Sequence, residues 1–172
     1  MLKKSWGWTM KRILVIALVC YLAFALEFLL YNFWGQWGKP ELLILVVIFF
    51  NLYLGIRFSI IAAVFCGIFK DASGVAPFGT YILVYIAGSY LTTIVRRYLY
   101  EPGSRFSRGV VTFFVVIGCF IVQAILSNMN HEVHFGNLLI YILVPQLLTT
   151  MIAATYVFAQ LKNISVFFML KS

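Results

Sequence analysis

The feature that most limits what this chain can fold into is a succession of apolar runs, reaching from Ile13 to Leu161 with few interruptions. Of 172 residues, 63% are apolar and 10% charged. Soluble domains sit nearer 45–50% and about 25%. A domain of this size leaves much of its surface in solvent, so a mean hydropathy of +1.00 exceeds what a core can hold. A soluble enzyme, a disordered chain and a disulfide scaffold are excluded. The expected class is an all-α integral membrane protein.

The runs divide into six transmembrane helices forming a compact bundle: 13–31, 40–54, 57–69, 80–95, 110–127 and 137–161. Residues 1–12 and 162–172 flank them as cytoplasmic segments. The first run is too long for a signal-peptide core and lacks a small-residue cleavage site. Trp6 and Trp8 precede it and Trp34 and Trp37 follow it, where indole rings favour the headgroup level. Pro40 to Phe69 as one helix would reach about 45 Å, beyond the ~30 Å hydrocarbon core, so Gly55 and Arg57 are expected to break it. Pro145 is expected to tilt or kink the last helix.

Charge tests this division. With the N-terminus inside, Lys3, Lys4, Lys11, Arg12, Arg57, Arg96, Arg97, Arg105, Arg108, Lys162 and Lys171 are inner. Only Lys39 and Lys70 are outer, eleven against two. This is a strong positive-inside asymmetry, and fusing the second and third helices would destroy it. Both termini are therefore expected in the cytoplasm. The net charge of +8 follows from these helix-end cations and implies no nucleic acid.

Candidate functional residues are few. Gly55, Ser59, Ala63 and Gly67 recur every four residues, placing small side chains on one face. Such a stripe suits close helix approach in lipid, either inside the bundle or against another membrane protein. The segment Gly67 to Tyr81 then forms a short re-entry, with Gly74, Pro77 and Gly79 shaping it. Asp71 either accepts hydrogen bonds from the following amides or contacts a partner. Glu27, Asp71, Gln123 and Gln146 fall in the outer half of the bilayer. They are read as one outward-opening polar pocket or as separate interhelical hydrogen bonds, with Glu27 facing the bundle.

His131 and His134 have zinc-ligand spacing but no third ligand, so a solvated loop is expected and no metal. No nucleophile–base pair or phosphate loop is present; no enzyme activity and no cofactor are expected. Cys20, Cys66 and Cys119 read as small buried hydrophobes. Asn163-Ile164-Ser165 is a glycosylation sequon by letters, unused if cytoplasmic.

The stretch Pro40 to Val95 resembles the MreD family of bacterial rod shape-determining membrane proteins. The likeness lies in PELLILVVIFF, in GIFKDASG with the further Gly79, in the Arg96-Arg97 pair and in Pro145 after YILV. Lys70 stands where the family pattern leads one to expect an apolar residue, and a Lys70–Asp71 interaction would occupy the aspartate. The resemblance maps the motif onto Gly67, Asp71, Gly74, Gly79 and Pro145. It implies a non-enzymatic scaffold of the cell-elongation complex in the bacterial inner membrane. It also implies MreC as direct partner, with MreB, RodA and a class B penicillin-binding protein acting indirectly in peptidoglycan synthesis. The six-helix arrangement is similar too to the substrate-binding S components of energy-coupling-factor vitamin transporters. That alternative is weakened by Tyr21 and Leu29 following Ala17 and Ala25, where an Ala-xxx-Ala docking motif would need alanines.

Overall fold

The computed structural model describes residues 3–34, 40–73, 77–100, 105–129 and 145–161. Among them are six helices and no strand. They are α1 (Lys3–Trp34), α2 (Leu42–Leu54), α3 (Ile56–Ala72), α4 (Thr80–Leu99) and α5 (Arg105–Met129), followed by α6 over 145–161. Gly74, His131, His134, residues 137–144 of the expected last span, and the sequon Asn163–Ser165 lie outside the described residues.

Two helices are long and apolar enough to cross a membrane, Arg12–Phe33 of 22 residues and Phe106–Leu126 of 21 residues. Both helices extend beyond the apolar runs that mark them. α1 starts ten residues before Ile13 because the intervening lysines and Arg12 are good helix formers. Leu14, Leu18, Leu22, Leu26, Leu29 and Phe33 are exposed along α1. Its inner face, with Ile16, Val19, Cys20 and Ala23, is buried.

α2 is the centre of the bundle. Its sequence, LLILVVIFFNLYL, is apolar on every side, and Leu42 to Leu52 is buried without interruption. A helix apolar all round has to be enclosed. The enclosing helices are α1, α3, α4 and α5, with α6 reaching it through Phe158 against Phe49, ring centroids 6.1 Å apart. At 13 residues, α2 is about 20 Å long, shorter than the ~30 Å hydrocarbon core, so a crossing by it requires local thinning of the bilayer.

Gly55 separates α2 from α3. Its φ of 88° and ψ of 176° fall in a region open essentially only to glycine. One residue can thus reverse the chain between two packed helices.

Contacts fix the helix directions. Cys20 lies against Ala62 and Glu27 against Lys70, so α1 and α3 run parallel. Val47 meets Ser59 and Ser89 meets Ser59, so α2 and α4 both run against α3. Gln123 meets Tyr81, and Cys119 meets Val84, turning α5 against α4. Glu41 with Thr150, and Phe49 with Phe158, set α6 parallel to α2. Successive helices therefore alternate in direction.

Small residues set the closest approaches. A Cβ on Gly67 would lie 2.5 Å from the Ile82 Cα, and one on Gly88 2.6 Å from the Cys119 sulfur. The first brings α3 against α4 and the second α4 against α5.

Candidate functional site

The first amides of an α-helix lack intrahelical partners, and an apolar interior offers no water to satisfy them. α2 and α4 both begin inside the bundle, and each recruits a carboxylate from another helix. Glu27, on α1, accepts the Leu43 amide through Oε2 at 3.3 Å. This lies seven residues before the end of α1 at Trp34, about 10 Å in along the axis. Two residues earlier, the Glu41 amide donates to Thr150 Oγ1 of α6 at 3.2 Å.

Asp71, in the last turn of α3, serves α4 across the re-entry. Its Oδ2 accepts the Gly79 amide at 2.9 Å and the Ile82 amide at 3.4 Å; its Oδ1 accepts the Tyr81 amide at 3.0 Å. Gly79, the residue before α4, has φ +99°, which aims these amides back at the aspartate. A side chain there would favour other backbone angles. Asp71 thus does for α4 what an N-cap side chain does locally.

Lys70, the residue before Asp71 in α3, pairs with Glu27 of α1. Its ammonium donates to Glu27 Oε1 in a buried ion pair and stands 5.5 Å from the centre of the Tyr81 ring. Tyr81 in turn accepts a hydrogen bond from Gln123 Nε2 at 3.1 Å. Glu27, Lys70 and Asp71 are 3%, 4% and 4% exposed. Glu27 and Asp71 each set acceptor oxygens at a helix start, where the dipole favours them. The arrangement binds α1, α2, α3 and α4 together at one end.

Of the four polar residues singled out in sequence, Glu27 does face the bundle, and it pairs with Lys70, the residue before Asp71 in α3. Gln123 is linked to them through Tyr81. Gln146 is not brought into this cluster by its side chain. Its carbonyl accepts from Thr150 Oγ1 at 2.6 Å, one step from the α2 start. Lys70, expected in an outer segment, stands in the last turn of α3 beside Asp71. It is buried and turned to Glu27, because an unpaired carboxylate at that depth is costly. Sequence reasoning passed over Lys70, Tyr81 and Thr150 as site residues. The available signal was that Glu27 stands alone in an apolar run and that Lys70, of opposite charge, ends another.

The small-residue stripe is occupied by the chain's own helices. Ser59 Oγ donates to the Val47 carbonyl at 3.0 Å and accepts from Ser89 Oγ at 2.8 Å. Ser59, Ala63 and Gly67 are buried and Gly55 is half-buried. The stripe is not an open docking face, since α2 and α4 fill it.

The opposite end of the bundle is basic. Arg96 Nη1 donates to the Asn51 carbonyl at 2.8 Å, placing positive charge at the negative end of the α2 dipole. Asn51 Nδ2 donates to the Ser89 carbonyl at 2.8 Å and Thr93 Oγ1 at 2.9 Å. Arg108 Nη1 donates to Tyr53 Oη at 3.3 Å, and Arg12 lies 5.7 Å from the Phe58 ring centre. Burial raises the Tyr100 phenol pKa beside these groups, opposed by Arg108 and Arg96.

No curated protein and no solved structure matches the chain. The family model for rod shape-determining protein MreD matches residues 9–168.

Proposed function

The chain belongs to the MreD family of rod shape-determining proteins, and from that premise we propose that it acts as a non-enzymatic membrane scaffold of the cell-elongation complex. Membership covers nearly the whole chain and replaces the vitamin-transporter alternative. A role in determining cell shape comes with the family; the scaffold role and MreC as direct partner are the proposal.

The observation that carries the scaffold reading is how the buried charged groups are used. Glu27, Asp71 and Lys70 hold helix starts and one another, and Arg96 holds a helix end. The charges that cost most to bury are engaged in fixing the bundle. The product is a rigid frame with apolar outer faces on α1 and α4, including Leu22, Leu26, Leu83 and Ile94. Such faces suit lipid and the single transmembrane helix of a bitopic protein.

The same reading places the chain in the bacterial inner membrane with six crossings and both termini cytoplasmic. Support comes from alternating helix directions and from the gathering of arginines at the end where α1 begins. MreB, RodA and a class B penicillin-binding protein would then be reached through MreC.

The test is co-expression with MreC from the same organism and purification in mild detergent. A stoichiometric complex is expected. Recovery of inserted, folded protein without MreC would overturn the direct partnership.

A further inference from the structure

Every arginine in the sequence, Arg12, Arg57, Arg96, Arg97, Arg105 and Arg108, falls at the end of the bundle where α2 turns into α3. They come from α1, α3, α4 and α5. Four are tied to the turn itself. Arg57 lies on it, Arg96 binds Asn51, Arg108 binds Tyr53, and Arg12 stands over Phe58. Arg57 and Arg97 are exposed. The described carboxylates, Glu27, Glu41 and Asp71, lie at the other end.

We propose that this turn is a binding site for the headgroup phosphate of an anionic phospholipid, with Arg57 and Arg97 as its direct contacts. Three observations converge on a lipid. Among the described residues, the cations that contact the turn are all arginines. Arginine's planar fork matches phosphate oxygens two at a time. Aromatic side chains flank the arginines, with Tyr98 77% and Phe106 82% exposed and Tyr53 also exposed. Exposed rings beside cations mark the headgroup level of a bilayer, whereas an acidic protein segment needs no such belt. Arg96 and Arg108 are meanwhile held by the fold, so the local positive field is fixed before a ligand arrives.

The inference rests on the membrane placement proposed above and goes beyond it. A chain recovered only from the soluble fraction would end both; an inserted chain indifferent to lipid charge ends this one alone.

The experiment uses the full chain in neutral detergent, offered equal amounts of dioleoyl phosphatidylglycerol and dioleoyl phosphatidylcholine, with bound lipid counted by native mass spectrometry. Preferential retention of phosphatidylglycerol is expected, falling as salt is raised. Each arginine removed should lower the preference about fivefold, measured with Arg57→Ala, Arg97→Ala and the pair. The Arg57→Lys/Arg97→Lys pair should lie between, keeping charge but losing the fork. Both positions are exposed, so unchanged thermal midpoints are expected. Equal retention of the two lipids by the unaltered protein would overturn the site. So would a wild-type preference in the double alanine variant. Displacement of the lipid by inorganic phosphate at equal concentration would assign the arginines to a free anion and overturn the lipid.

Discussion

At the scale of single residues, a buried charge is stable here only through its counterpart. Lys70 neutralises Glu27, which in turn holds the Leu43 amide. Lys70→Met leaves a carboxylate buried and unpaired, and Glu27→Gln leaves an ammonium so. Each single change is expected to cost about 3–5 kcal/mol. The double variant should be more stable than the sum of the two losses, because no net charge is then stranded. Thermal or denaturant unfolding of all four proteins in one detergent measures the difference; additive losses would disprove the coupling. Gly67 is constrained by space instead. Gly67→Ala puts a methyl group 2.5 Å from backbone of α4, where no side-chain rotation relieves it. A loss of about 1–3 kcal/mol is expected from overpacking, and the same unfolding measurement checks it.

At the scale of elements, two short segments carry the architecture. The turn at Gly55 is expected to reject any side chain: Gly55→Ala should destabilise by about 1–3 kcal/mol from backbone strain, although nothing lies within 4 Å of the added methyl. The contrast with Gly67 separates strain from crowding. Asp71→Ala should release the amides of Gly79, Tyr81 and Ile82 at a cost of roughly 0.5–2 kcal/mol, the range for a lost cap. Hydrogen exchange should then quicken at those three amides while the middle of α4 stays protected. The break at Gly55 was readable because glycine and Arg57 interrupt an apolar run. The capping of α4 by Asp71 was half readable, as a side chain taking up later amides. The pairing of Glu27 with Lys70 was not, since 43 residues separate them and an apolar run seldom reveals which way its few polar residues point. For the same reason the small-residue stripe showed its face but not what covers it.

At the scale of the whole molecule, alternating helices put the start of α1 and the end of α6 at the basic end of the bundle. Green fluorescent protein fused at either terminus is therefore expected to fluoresce, and alkaline phosphatase inserted near residue 75 to be active. The opposite pattern would reverse the orientation. The central place of α2 was not legible from composition, because a helix apolar all round looks the same facing lipid or other helices. Its enclosure has a consequence for how the protein is made. The two ends of α2 are sealed by Glu27 before it in the chain, and by Arg96 and Thr150 long after it. While the ribosome is still translating α3, the C-terminal carbonyls of α2 lack their arginine, and its N-terminal amides lack their hydroxyl until residue 150 has emerged. Biogenesis thus passes through a stage in which the most apolar segment is already synthesised but has unfinished ends, and late synthesis completes it.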